Sequence, residues 1–151
     1  MRLLFLGDVM GRSGRDAIND RLPGLIEQYK FDFVVVNGEN ASHGKGLTEP
    51  HFNAIRHAGA DVVTLGDHAF DQRETISYIE RENTLIRPIN MPPGTPGRGA
   101  MLVSGRNGHS ARWSPPSPPV PWASRPMPSS STSIPRRPRK SRPWGISSTA
   151  R

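Results

Sequence analysis

Three short apolar runs in this 151-residue sequence each end in a polar loop that contains glycine. The first loop carries Asp8, the second carries Glu39 and Asn40, and the third carries Asp67 and His68. If the three runs are parallel strands of one sheet, their loops lie along the same edge, where ligands of such sheets bind. We therefore expect these five side chains to converge in space although they are far apart in the sequence.

The residue types at this edge predict a metal site with an acid–base group beside it. Three carboxylates that meet repel one another unless a cation neutralises them. Oxygen ligands with an imidazole nearby suit a divalent metal such as Mn, Fe or Zn. Neither a phosphate-binding P-loop motif nor a dinucleotide-binding glycine motif is present in the sequence, so the nucleotide-binding classes that depend on those motifs are excluded.

Each of these residues also has a simpler structural interpretation. Asp8 could cap a following helix, Glu39 and Asn40 could be turn residues, and His68 could be an ordinary hydrogen-bonded histidine. Their shared position at three successive strand ends favours a site instead. The three other histidines before residue 60 lack metal-ligand spacing and are expected at the surface: His43, His51 and His57.

The elements that must position these loops follow from the apolar pattern. Residues 3–6, 33–36 and 62–65 are short, continuous runs rich in branched residues, which is typical of strands buried on both faces of a parallel sheet. Helical patterns lie between and after them. Because strands and helices alternate regularly, the sequence predicts an α/β fold rather than an unordered set of core segments.

Three helices are predicted. Residues 14–29 place four apolar side chains on one stripe, and Thr48 is a predicted N-cap with Pro50 in the first turn of a helix that runs to about Ala58. Residues 72–82 place Ile76 and Ile79 on one face. The stripe of the first helix consists of Ile18, Leu22, Leu25 and Ile26.

Charge and composition divide the chain near residue 108. The whole chain has a net charge of +7, but residues 1–108 hold 12 basic against 13 acidic residues, a net of −1. Residues 109–151 hold 8 basic and no acidic residues, a net of +8, together with ten of the sixteen prolines. Proline at this density removes backbone donors and prevents helices and central strands, so we predict a disordered Pro/Ser/Arg-rich tail over 109–151.

Several protein classes are excluded by what the sequence lacks. There is no cysteine, which excludes a disulfide scaffold. No apolar run approaches the roughly 20 residues that a membrane-spanning helix needs, so no membrane partner is expected. The run at residues 3–6 is too short for a signal peptide, and the cytoplasm is the expected compartment.

Four segments of residues 1–108 closely resemble the YmdB-type bacterial metallophosphoesterases, a branch of the calcineurin-like phosphoesterases. They are LFLGDVMGRSGR, DFVVVNGEN, GADVVTLGDHAFDQRE and RPINMPPGTPGRG, in that order. The resemblance implies the N-terminal half of a sandwich of β-sheets flanked by helices. It also implies a centre of two divalent metals, Fe or Mn with Zn as an alternative, that cleaves phosphodiesters, with 2′,3′-cyclic nucleotides as the substrate class.

The resemblance assigns a role to each site residue. Asp8 resembles a ligand of the first metal, Glu39 the carboxylate that bridges both metals, and Asn40 a further ligand. His68 resembles the proton donor to the leaving alkoxide. Asp67 is a departure, because the family has asparagine at this position; it can still bind a metal, but its negative charge predicts weaker binding of an anionic substrate.

The resemblance stops near residue 108, where the family continues with further strands and with histidines in Asp-Phe-His and Gly-Thr-His-Thr-His motifs. No histidine follows His109 in this sequence. The genetic code permits a series of codons for residues 128–151 that encodes an Asp-Phe-His motif when the series is read one base earlier. We therefore expect a truncated family member with an out-of-frame tail and impaired activity. The alternative is a non-enzymatic α/β fragment that binds nucleic acid through its basic tail; no oligomeric state is predicted.

Overall fold

The computed structural model describes residues 1–106, 108 and 110–113, with only the backbone for residues 111–113. Strands and helices alternate along most of this length, as the apolar pattern predicts. The elements are β1 (Leu3–Leu6), α1 (Gly11–Tyr29), β2 (Phe33–Asn37), α2 (Glu49–His57), β3 (Val62–Thr64), α3 (Thr75–Tyr78), β4 (Leu85–Ile86), β5 (Met101–Ser104) and β6 (Ser110–Trp113).

Strands β1 to β4 form one parallel sheet in the order β1-β2-β3-β4. Leu3 pairs with Phe33, and Val35 pairs with Val62, so the carboxyl ends of β1, β2 and β3 fall along one edge. Strands β5 and β6 form a separate antiparallel pair. The predicted α/β class with a parallel sheet is confirmed.

The two faces of the sheet are covered by different layers. On one face, Val34, Val36 and Val63 belong to the main core, together with buried side chains of α1 and α2. On the other face, Phe33, Val35, Val62 and Ile86 form a smaller buried cluster against Met101 and Val103 of β5. Strands β2 and β3 are therefore buried on both faces, which explains their continuous apolar runs.

The predicted burial of β1 on both faces is wrong. Leu3 and Phe5 are 46% and 50% exposed, whereas Leu4 and Leu6 pack partly against the main core. The second layer, formed by β5, packs against side chains of β2, β3 and β4. In the part of the chain that the structure describes, β1 is the outermost strand on its side of the sheet, so one of its faces is less covered.

The first two helices match their predictions closely. Helix α1 begins three residues before the predicted start and buries Ile18 and Leu22 of the predicted stripe. It ends at Tyr29, after which Lys30 adopts a left-handed conformation with φ 51°. Thr48 is the N-cap residue of α2, as predicted, although its side chain makes no capping hydrogen bond.

The predicted helix over residues 72–82 is wrong in length and in its buried face. Only Thr75–Tyr78 is helical, and Ile76 is 53% exposed while Ile79 is buried. Thr75 and Tyr78 turn inward because both hydroxyls donate to the Leu47 carbonyl, at 3.1 and 2.7 Å. The buried face therefore consists of residues 75, 78 and 79, and Ile76 points away from it.

Strand β6 lies inside residues 109–151, the segment predicted to be a tail. Ser110–Trp113 pairs with Met101–Ser104, which places Ser110 opposite Ser104. Ordered structure therefore extends a few residues past the predicted boundary at residue 108. The remainder of the predicted tail, residues 109 and 114–151, lies outside the described residues. No helix in the described ranges combines the length and apolar character needed to cross a membrane.

Candidate functional site

Backbone hydrogen bonds at the carboxyl edge of the sheet join the loops that follow β1 and β2 to each other and to the end of β3. Val9 N–H donates to the Asn37 carbonyl at 3.3 Å, and Gly11 N–H donates to the Asn40 carbonyl at 2.9 Å. Gly38 N–H donates to the Thr64 carbonyl at 3.0 Å. These bonds hold the first two loops side by side and tie the second loop to the end of β3. The third loop joins them through the backbone N–H of His68, which donates to Glu39.

Asp8 and Asn40 meet at this edge. The Asn40 side-chain amide donates to Asp8 Oδ1 at 2.8 Å, across 32 residues of sequence. Asp8 has φ 54°, a left-handed conformation that costs a non-glycine residue about 1 kcal/mol or more. The helix-cap interpretation of Asp8 is wrong, because the N-cap of α1 is Met10 and no side chain caps that helix.

Glu39 is partly buried and its carboxylate is incompletely satisfied. Its Oε2 atom is inaccessible to solvent and has no hydrogen-bond partner among the described residues. Burial, followed by the nearby charge of Asp67, raises the pKa of the Glu39 carboxyl, and the backbone N–H of His68 partly offsets that rise. A buried carboxylate oxygen without a partner is costly, and a cation is the partner that such an atom suits.

Asp67 and His68 lie on the loop after β3. The Asp67 side chain is exposed, and its Oδ2 atom lies 4.0 Å from His68 Nε2. The other ring nitrogen of His68, Nδ1, lies 2.8 Å from Asp71 Oδ2. Asp71 is absent from the residues predicted from sequence; the only signal for it is its position three residues after His68, the spacing of a single turn.

The donor set fits a divalent cation in its chemistry. The oxygens of Asp8, Glu39, Asn40 and Asp67 are the ligand type that hard divalent ions prefer. They occur as close pairs, Asp8 with Asn40 and Glu39 with Asp67. Within residues 1–106, 108 and 110–113 there is no group of three or more His, Asp or Glu side chains arranged to hold a metal ion.

His51 is more buried than expected of a surface residue. His43 and His57 are exposed, as expected, but His51 is partly buried. Its Nδ1 atom lies 2.7 Å from the hydroxyl of the fully buried Ser42 and 2.8 Å from the Thr48 hydroxyl. The Thr48 N–H donates to the same Ser42 hydroxyl at 2.9 Å. His51 therefore closes the loop that follows Asn40, and burial lowers its pKa.

The chain is similar to known phosphoesterases over most of its described length. The 2′,3′-cyclic-nucleotide 2′-phosphodiesterase of Bacillus subtilis is 47% identical over 103 residues, which are 68% of this chain and 39% of that protein. A crystal structure of a hypothetical protein from Thermus thermophilus matches with TM-score 0.70 and 42% identity, covering 76% of this chain and 44% of the other.

A second solved structure, of a novel phosphatase from Mycoplasma pneumoniae, matches with TM-score 0.67 and 31% identity over 79% of this chain and 44% of the other. The chain spans about two fifths of the length of its curated Bacillus relative. The model of the YmdB-like protein family matches residues 4–112, a range that contains all but the first residue of β1, the elements from α1 to β5 and all five predicted site residues. The chain therefore belongs to the YmdB-like protein family.

Proposed function

We propose that this chain carries part of the active site of a metal-dependent phosphodiesterase that acts on 2′,3′-cyclic nucleotides or related phosphodiesters. The observation that carries the proposal is the buried, unpartnered Oε2 atom of Glu39 beside Asp67, at the edge where three strands end. The substrate class is supported by the name of the Bacillus relative. The relatives are named as phosphodiesterases and phosphatases, which supports a hydrolase as the broad functional class.

Four residues would hold the metals. Asp8, Asn40 and Asp67 would each contribute side-chain oxygen, and Glu39, which lies between the loops of β1 and β3, would contribute its carboxylate to two divalent ions. Fe or Mn suits this donor set, with Zn as an alternative. When bound, such ions lower the pKa of a coordinated water and neutralise charge on the phosphoryl oxygens.

Other steps depend on side chains of the chain itself, which position the metal ligands and supply a proton. The hydrogen bond from Asn40 fixes the Asp8 carboxylate in its left-handed backbone position. His68 supplies a proton from Nε2 to the alkoxide that leaves as the P–O bond breaks. An imidazole suits this role because it gains and loses a proton near neutral pH.

The Asp67 side chain is the feature expected to weaken the reaction. It is 87% exposed, so water and salt screen its charge. The charge nevertheless stands where an anionic phosphodiester must approach. The metal-binding histidines that the family resemblance places after residue 108 are absent from this sequence, and we therefore propose that the 151-residue chain has impaired turnover.

Hydrolysis of bis(p-nitrophenyl) phosphate and of a 2′,3′-cyclic nucleotide by the 151-residue chain tests the proposed function. Slow turnover that requires Mn²⁺, stops with EDTA and is lost in Glu39→Gln supports it. Glu80→Gln is the control, because Glu80 is an exposed acid outside the site. A rate of hydrolysis that EDTA leaves unchanged contradicts the proposal. Salt-sensitive RNA binding that requires residues 109–151, without turnover, supports the nucleic-acid-binding alternative instead.

A further inference from the structure

We propose that Asp71 is the positioning residue of His68, fixing which ring nitrogen delivers the proton; this inference rests on the proposed function of His68 as the acid. The two side chains are joined by the 2.8 Å contact between His68 Nδ1 and Asp71 Oδ2. A carboxylate only accepts hydrogen bonds. The hydrogen in this contact therefore resides on Nδ1, which leaves Nε2 as the atom that exchanges a proton.

The turn that carries both residues is held from several sides. Asp71 N–H donates to the His68 carbonyl at 3.3 Å, and Ala69 N–H donates to the Gly66 carbonyl at 3.2 Å. Ala69 is fully buried. The next residue, Gln72, donates from its side-chain amide to the Lys45 carbonyl at 2.7 Å, which anchors the turn to the loop after β2. The Asp71 carboxylate is thus placed by the backbone and not only by its own contact with the ring.

The orientation of the ring follows from this anchoring. With Nδ1 directed at Asp71, Nε2 faces the Asp67 side of the site, 4.0 Å from Asp67 Oδ2. When His68 gives its Nε2 proton to the leaving oxygen, the imidazolium becomes a neutral ring that keeps its hydrogen on Nδ1. Without Asp71, the neutral ring is free to keep its hydrogen on Nε2 and to rotate away from the carboxylates.

The ¹⁵N chemical shifts of the His68 ring in the 151-residue chain test this inference without any need for turnover. The spectrum is recorded in EDTA at about pH 8, above the ordinary range in which imidazoles ionise. We expect the wild-type ring to be the Nδ1–H tautomer. Asp71→Ala is expected to shift it towards Nε2–H, whereas Asp71→Asn retains an acceptor oxygen and most of the Nδ1–H form.

Glu80→Gln serves as the matched control and is expected to leave the tautomer unchanged. A wild-type ring that is mainly Nε2–H overturns the inference, and so does an Asp71→Ala variant with a native-like amide spectrum and an unchanged tautomer. Because the tautomer is observed without substrate, a chain that shows the expected tautomers but hydrolyses no phosphodiester contradicts the proposed function and leaves the positioning result standing.

Where turnover is measurable, leaving-group chemistry gives a second readout. A basic alkoxide is a poor leaving group and depends on the proton from His68, whereas p-nitrophenolate leaves readily without one. Asp71→Ala is therefore expected to lower kcat for a phenyl or nucleoside leaving group by about tenfold or more, with a smaller effect on p-nitrophenyl esters and little change in KM. An equal loss of kcat for both leaving groups overturns the inference.

Discussion

The backbone of Gly66, just after β3, lies directly against the carboxylate of Glu39, just after β2. A Cβ atom added at Gly66 would overlap that carboxylate. Gly66 has an ordinary backbone conformation, so the absence of a side chain serves the close approach and not a turn. The glycine before Asp67 therefore determines where the central carboxylate of the proposed metal site can lie.

Substitution of Gly66 by alanine is expected to displace Glu39. Overpacking of this kind costs about 1–3 kcal/mol of unfolding free energy, and the affinity for Mn²⁺ should fall with it. Gly24→Ala is the matched control, because Gly24 lies within α1 and a Cβ there meets open space. The control should gain about 0.5–1 kcal/mol without altering Mn²⁺ affinity. Unchanged Mn²⁺ binding in Gly66→Ala would contradict the proposed role of this contact.

Glu39→Gln is expected to stabilise the metal-free chain at neutral pH. A carboxyl whose pKa is raised by folding binds its proton more tightly in the folded state. Wild-type stability therefore falls as the pH rises from the ordinary Glu pKa through the raised one, and the penalty persists above it. The variant lacks this penalty, so its Tm in EDTA should exceed that of wild type by about 2 °C at pH 7.

The difference between Glu39→Gln and wild type should shrink below about pH 4, where both chains carry a neutral side chain at position 39. Asp67→Asn should raise Tm at pH 7 by a smaller amount, because the Asp67 charge ranks after burial among the causes of the Glu39 shift. Differential scanning calorimetry at several pH values measures these differences. A lower Tm for Glu39→Gln at pH 7 would show that the carboxylate is satisfied in the metal-free chain.

His51 is expected to make the chain less stable in mild acid. Burial, together with the positive charges of Arg15 and His43, lowers its pKa, and Glu74 acts in the opposite direction. A histidine held neutral by folding contributes stability that is present above its ordinary pKa of 6.5 and is lost as the pH falls below it.

Urea titrations at pH 7.5 and pH 5 measure this loss. Wild type should lose more unfolding free energy than His51→Asn between the two pH values, by less than about 1 kcal/mol because the ring is partly exposed. His57→Asn is the control, because His57 is exposed and should leave the pH dependence as in wild type. A His51→Asn chain with the wild-type pH dependence would refute the assignment.

The Tyr78 hydroxyl is expected to stabilise the loop between β2 and α2 through its hydrogen bond to Leu47. Tyr78 is fully buried and donates to the Leu47 carbonyl at 2.7 Å. Tyr78→Phe keeps the ring and removes one donor, which should cost about 0.5–1.5 kcal/mol of unfolding free energy. The Leu47 carbonyl still accepts a hydrogen bond from the Thr75 hydroxyl in this variant, so we expect a loss of unfolding free energy at the lower end of this range. Tyr29→Phe, at a half-exposed position, should be nearly neutral in the same urea titration.

The strands and their polar loops could be predicted because their signals are local. Runs such as Phe33–Asn37 need only apolar burial and branched side chains to become central strands. Parallel pairing then places Asp8 and Glu39 at one edge, as the loop contacts confirm. The candidate site residues can therefore be predicted from the sequence without side-chain geometry.

The features that could not be predicted depend on contacts between residues that are far apart in the sequence or on side-chain geometry. The face of α3 is decided by hydrogen bonds from Thr75 and Tyr78 to Leu47, nearly thirty residues earlier, so local periodicity favoured Ile76 wrongly. The burial of His51 depends on Ser42 becoming an interior residue. Asp71 was missed because a carboxylate three residues after a histidine is common in turns and becomes informative only once the 2.8 Å contact is seen.

Binding of Mn²⁺ to the 151-residue chain tests the central claim most directly, namely that the carboxylates at the strand ends hold a divalent cation. Electron paramagnetic resonance of free Mn²⁺ gives the bound fraction without requiring turnover. We expect saturable binding to wild type and to Glu80→Gln, and binding that is at least about tenfold weaker in Glu39→Gln. Equal binding by wild type and Glu39→Gln, or no saturable binding to wild type, would contradict it.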